Sequence, residues 1–275
     1  MTRAASTKRA TVAPGDKRLD EWLHFAHTLA DAAHALLAPA ASHRLEARIE
    51  ADRSFVTSLD EQIEARLREM IGGRYPDHGI LGEEAGAQAL DAEAVWILDP
   101  IDGTAPFVAG LPVFGTLIAL AWQGVPVLGV MHLPMTNQRY VGVAGRTSTL
   151  NGRAIRTRAC ADLSEAILTT SNPDFLGPSE RPALDALRRP TAWRIYGGCC
   201  MSYGLLAAGR ADLAIDAGLA LYDYAAFRPL IEGAGGVITD WQGRPITLAS
   251  GSQVLAAGDA ARHGEALALI AATLP

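Results

Sequence analysis

The chain has little of what would place it in several large classes of protein. It has three cysteines, Cys160, Cys199 and Cys200, in 275 residues. That odd count, with no CxxC spacing, gives neither a disulfide framework nor a zinc site and suits a reducing cytoplasm. Aromatic residues make up 6% of the chain. There is no excess of positive charge: 24 Lys and Arg stand against 30 Asp and Glu, a net charge of −6. Nothing electrostatic therefore draws the chain to nucleic acid or an anionic membrane. The first 18 residues carry Arg3, Lys8, Arg9, Lys17 and Arg18 but no apolar core, which excludes an ordinary secretory signal and reads as a disordered basic tail. One stretch, Gly103 to Gln138, lacks charge entirely. Its four prolines, five glycines and Trp-Gln-Gly turn break it into two strands, near 114–121 and 125–131, and not a membrane span.

What is present is enough apolar residue, 49% of the chain, to fill one large core or two smaller ones. Apolar positions from Leu19 to Leu37 recur at helical spacing up to Pro39. A second helix is expected over 59–71, with Ser58 and Glu61 as its capping box and Gly72-Gly73 as its end. A third strand is expected near 139–144, and Asn151-Gly152 marks a turn. Beyond it strands (166–170, 191–196, 212–216, 236–239) alternate with helices (179–187, 200–208, 224–233, 261–272). This order predicts an N-terminal lobe over 19–150 and a C-terminal lobe over 151–275, each of layered sheets and helices.

The most informative segment is Trp96-Ile-Leu-Asp-Pro-Ile-Asp-Gly-Thr104. An apolar strand empties into a stiff turn bearing Asp99 and Asp102. Two such carboxylates repel unless a cation lies between them, and oxygen ligands without His or Cys suit a hard ion, Mg²⁺ first. Other acids have plain explanations when taken singly. Glu83-Glu84 fits a solvated turn, Asp223 fits an N-cap before a helix starting near Tyr224, and Asp60 complements a helix N-terminus.

Taken together, LGEE at 81–84, DPIDGT at 99–104, YDYAA at 222–226 and EGAGG at 232–236 resemble the inositol monophosphatase superfamily over residues 20–265. The members of that superfamily are Mg²⁺-dependent, lithium-sensitive phosphomonoesterases. The resemblance implies an α+β fold, a layered α/β/α/β/α sandwich of the sugar-phosphatase type with two lobes, a homodimer, and two or three Mg²⁺ ions. It implies that Glu83, Asp99 and the Ile101 carbonyl bind one metal and that Asp99, Asp102 and Asp223 bind another. Asp60 and Thr104 would orient the catalytic water, Glu84 would support from behind, and the Gly103 and Thr104 amides would hold phosphate.

The segments 75–84, 151–156, 169–175, 194–198, 203–209 and 239–245 resemble the histidinol-phosphatase branch, which implies L-histidinol phosphate as the small phosphorylated substrate, in histidine biosynthesis. Gly198, Cys199, Asp216 and Asp223 would then face the substrate. An acidic pocket would suit its ammonium and imidazole. The chain departs from the branch at Cys199, where Asp is common, at Asp216, where Glu is common, and from the wider family at Glu50 and Ala105. An inositol or sugar monophosphatase is the neighbouring alternative, and a non-catalytic dimeric scaffold of the same fold the distant one.

Overall fold

A computed structural model describes residues 14–40, 48–49 and 55–273. The first half runs α1 (Asp16–Ala40), β1 (Arg48–Ile49), β2 (Phe55–Val56), α2 (Ser58–Arg74), β3 (Gly79–Gly82), β4 (Gly86–Gln88), β5 (Ala94–Asp102), α3 (Thr104–Ala109), β6 (Gly115–Trp122), β7 (Val125–Leu133), β8 (Gln138–Val143), β9 (Thr149–Leu150) and β10 (Arg153–Ala154). The second runs β11 (Ile167–Thr170), α4 (Arg181–Arg188), β12 (Trp193–Tyr196), α5 (Cys199–Ala207), β13 (Leu213–Asp216), α6 (Leu221–Tyr224), α7 (Phe227–Gly233), β14 (Val237–Thr239), β15 (Val254–Ala257) and α8 (Ala260–Ala271).

Two large sheets result, of order β10-β9-β8-β7-β6-β5-β3-β4 and β12-β11-β13-β15-β14. Strand alternation sorts the side chains into layers. Trp96 and Leu98 of β5 face α1 and α2, in a core with Leu29, Ala33, Ile63 and Leu67. Val95 and Ile97, on the opposite face, pack with Tyr203 and Leu206 of α5 and Phe227 and Leu230 of α7. Ala214 and Ala256 of the second sheet reach the same middle layer. Their neighbours Leu213, Ile215, Leu255 and Ala257 turn away to meet Leu184 and Leu187 of α4 and Ala266 and Ile270 of α8. The order is therefore helix, sheet, helix, sheet, helix, the five-layered α+β sandwich the resemblance implies.

Local differences from the sequence reading have physical causes. The charge-free stretch contains β6 and β7, and among the described residues no helix is long and apolar enough to cross a membrane. Residues 1–13 of the basic tail, and Glu50, lie outside the described residues. Helix α1 begins at Asp16, so Lys17 and Arg18 are helical, with the Arg18 guanidinium over the Trp22 and Trp122 rings. Pro39 sits within its last turn, where a missing N–H costs one bond and leaves the earlier turns intact. Helix α2 is capped one residue earlier than expected, by Thr57 with Asp60 at the third helical position, in place of Ser58 and Glu61. It also continues through Gly72-Gly73 to Arg74, closed by the Tyr75 N–H on the Ile71 carbonyl at 2.7 Å. The Tyr75 ring, edge-on to Phe25 and stacked on His78, holds that end in place. Strand β15 went unread because four small apolar residues, Val254–Ala257, carry no period of their own.

Helix α7 lies close on β8 because Gly142 has no side chain: a Cβ there would run into the Leu230 backbone. Gly142→Ala should therefore lower stability by roughly 1–3 kcal/mol, the usual range for overpacking. Urea unfolding of the variant beside the parent chain measures it.

Candidate metal centre

The site starts from an irregularity in β5. Asp99 pairs with Leu117 of β6 but Asp102 pairs with Gly115, so three steps on one strand match two on the other. This is a β-bulge. In a regular strand residues three apart point to opposite faces. Here Ile101 joins Leu98 in the core beneath α1 and α2, and Asp102 is turned to the face of Val95, Ile97 and Asp99. Pro100 has no N–H to lose at the bulge, and its carbonyl accepts the Thr116 hydroxyl at 2.8 Å. The DPID sequence thus puts two carboxylates on one side of a strand at its end.

Acids from three other segments meet them. Strand β3 runs parallel to β5 and stops level with Leu98, so Glu83 follows at the same sheet end, its N–H on the Leu98 carbonyl at 3.3 Å. Asp223 lies on α6, at the layer above. Asp60 lies on the first turn of α2, its Oδ2 accepting the Thr57 N–H at 2.9 Å and hydroxyl at 2.6 Å. The Thr104 hydroxyl lies 3.5 Å from Asp60 Oδ1 and donates to the Ile101 carbonyl at 3.0 Å.

Burial, then mutual repulsion, governs this cluster. Desolvation and the nearby Asp223 and Glu84 push Glu83 up to about 8. Asp99 is 1% exposed and is held far above the carboxylate range by desolvation and by Glu83, Asp102 and Asp223. Asp223 rises to about 7 through burial and the Asp102 charge. Asp102 rises to about 6 by burial, restrained by the Cys200 N–H at 2.6 Å. Asp60 is raised by desolvation against its Thr57 bonds. Such crowding is relieved by a cation. Asp99 Oδ1 is also buried without a hydrogen-bond partner, an acceptor aimed at a group that is neither backbone nor side chain. Among the described residues no three His, Cys, Asp or Glu side chains already close on one point, so the acids stand as a facing set rather than a finished coordination shell. An all-oxygen donor set with an orphaned buried carboxylate oxygen fits a hard divalent ion.

Around the acids lies a small-residue turn. Gly103 has φ +83° and caps α3; a Cβ there would sit 3.0 Å from the Cys199 sulfur. The first amides of α3 have no acceptor within the helix and are available to an anion. Gly198 precedes α5, and Cys199 opens it at φ +45°, half-buried, its thiol pushed up by burial and by Asp102 and Asp216. Cys200 N–H reaches Asp102, so the second half of the chain holds an acid of the first.

Two sequence expectations change. Asp223 is not an N-cap. It sits at the third position of α6, where Oδ2 accepts the Ala220 N–H at 2.7 Å, because the helix starts at Leu221. Asp216 is 0% exposed and already accepts four donors: Thr170 Oγ1 at 2.7 Å, Ser171 N at 2.8 Å, Ser171 Oγ at 3.0 Å and Tyr203 OH at 2.8 Å. A saturated buried carboxylate has no lone pair left for a substrate, so it braces β11 and α5. Sequence reading also missed Glu64, 1% exposed, whose carboxylate lies directly behind the Glu83 turn. Its spacing of four from Asp60 along a helix was the available signal.

Five acids gathered beside amides free to meet an anion, in a five-layered sandwich, define a metal-dependent phosphate-ester hydrolase. The chain belongs to the inositol monophosphatase family, whose model matches residues 18–275. Members of that family are metal-dependent phosphatases. It is 38% identical over 282 residues to the bifunctional phosphatase IMPL2, chloroplastic, of Arabidopsis thaliana, covering 97% of this chain and 82% of that protein. It is 34% identical over 195 residues to a histidinol-phosphatase of Chlorobaculum parvum, covering 70% of this chain and 75% of the other. An inositol monophosphatase structure from Zymomonas mobilis matches with TM-score 0.84 at 39% identity, over 92% of this chain and 98% of that one.

The raised acids give a testable pH dependence. Each binds its proton more tightly folded than unfolded, so the part of metal-free stability that these three groups contribute is fully present below about pH 4 and is lost as the pH rises through about 6, 7 and 8, where Asp102, Asp223 and Glu83 ionise. Without divalent cation the melting temperature should fall between pH 5 and pH 8. Millimolar Mg²⁺ should flatten that fall, as thermal melting across the range would record.

Proposed function

We propose that the protein is a cytoplasmic, homodimeric Mg²⁺-dependent phosphomonoesterase that hydrolyses L-histidinol phosphate to L-histidinol and phosphate, a step of histidine biosynthesis. The convergence of Glu83, Asp99, Asp102 and Asp223 on the bulged end of β5 supports the chemistry. The branch-like segments and the histidinol-phosphatase relative support the substrate. Three unpaired cysteines suit a reducing compartment.

In this reading Glu83, Asp99 and the Ile101 carbonyl hold one ion, and Asp99, Asp102 and Asp223 another. When bound, these ions supply positive charge for the incoming water and the departing alcohol oxygen. Thr104, poised between Asp60 and the Ile101 carbonyl, orients the water, and Asp60 Oδ1 takes its proton. The raised affinity of Asp60 for a proton fits that task. The Gly103 and Thr104 amides bind the phosphoryl oxygens, glycine letting the backbone come close to them. Asp102, fixed by the Cys200 amide, keeps its place as substrate enters.

One observation favours a neutral polyol substrate such as inositol 1-phosphate. The Cys199 thiol beside Gly103 is held protonated, so the pocket wall has no charge there to meet an ammonium. A lost charge-assisted hydrogen bond costs about 1.5–3 kcal/mol.

Two measurements test these readings. Asp99→Asn at saturating Mg²⁺ should abolish turnover of an aryl phosphate, and near-normal turnover would remove the centre from consideration. Comparing kcat/KM on L-histidinol phosphate and inositol 1-phosphate should favour the former; a hundredfold preference for the latter would reassign the substrate.

A further inference from the structure

We infer that Glu64 is a positioning residue that holds the Glu83 turn in ligating register, with Arg68 as its anchor. This rests on the metal-centre reading above and adds to it a residue that touches neither ion nor substrate. The Glu64 carboxylate is 1% exposed, and its two oxygens accept from successive backbone amides: Oε2 from Glu84 N–H at 2.8 Å and Oε1 from Ala85 N–H at 2.9 Å. A side chain on Gly82 would occupy the space of this carboxylate, so the strand end is shaped around it. The first of these amides belongs to the peptide directly after Glu83, the residue that must aim its acid at Asp99, and the second to the next peptide along. Turning the peptide planes that Glu64 grips would turn Glu83 with them.

Arg68 completes the clamp. Its Nε donates to Glu64 Oε1 at 2.7 Å, and its guanidinium also reaches the Gly86 carbonyl on the far side of the same turn. Asp60, Glu64 and Arg68 are spaced by four and share one face of α2. A single helix therefore sets the acid that faces the water and the turn that carries a metal ligand. A buried carboxylate with three donors is expensive to install for shape alone, since an apolar residue could fill the space. Here its acceptors are spent on the backbone of the turn that joins β3 to β4 and carries Glu83.

The test titrates Mg²⁺ into Glu64→Gln, read by melting temperature and, separately, by aryl-phosphate turnover. Glutamine keeps the shape but sets an NH₂ against one of the two amides. The half-saturating Mg²⁺ concentration should rise at least tenfold in both readouts, while kcat at saturating Mg²⁺ stays within a few-fold of the parent. Arg68→Gln, which keeps the carboxylate and removes its anchor, should shift half-saturation the same way by less, and decides the matter if Glu64→Gln does not fold. A metal-free melting temperature that drops in both variants with unchanged Mg²⁺ half-saturation would overturn the inference, because bracing alone predicts that result. Asp99→Asn separates the two readings. If it loses the Mg²⁺ response while the Glu64 and Arg68 variants keep it, only the clamp is wrong. If it keeps the response, the centre is wrong and the clamp falls with it.

Discussion

Repulsion among buried carboxylates is the constraint from which the architecture follows. Acids this close to one another cannot all ionise in a dry place without help, and each of them is pushed toward its neutral form. Keeping them together requires a rigid frame, and the frame is expensive in precise contacts: a bulge at Pro100, a strand end level with Leu98, a capped helix start at Thr57 and an amide from α5. A buried apolar core around Trp96, Leu98 and Ile118 lies on the other face of the strand that carries the acids. Hydrophobic burial there offsets the electrostatic cost in front.

The middle layer is where the halves of the chain become one object. Helices α5 and α7 are covered by a sheet on each side; α5 carries no charged residue, and the two of α7, Arg228 and Glu232, pair with each other at its margin. Asp223 comes to the first-half acids from a short helix of this layer, and Cys200 reaches them from another. Folding of the second half thus completes an acid cluster that the first half mostly supplies.

Much of this was written locally. DPIDGT announced its strand, its turn and its pair of acids because proline, glycine and aspartate act on the backbone within a few residues. The helical stripe of α1 was plain for a similar reason. What escaped was tertiary. Nothing near Asp216 reveals that Thr170, Ser171 and Tyr203 would use up its lone pairs, since those donors come from two other elements. The cap of α2 moved by one residue because Asp60, and not Glu61, turns inward, a choice made by the site and not by the helix. Glu64 acquires its amide partners only when the turn at 82–85 is folded onto α2.

The backbone at Cys199 has a further consequence. Its φ of +45° lies in the left-handed region, which asparagine and aspartate tolerate better than most side chains. Cysteine is thus a guest in a seat shaped for an acid or amide. Its thiol, kept neutral by burial and by Asp102 and Asp216, lies against Gly103. A single replacement at this spot would thus change the charge beside Gly103 without re-forming the turn, much as a lock is re-keyed by changing one pin.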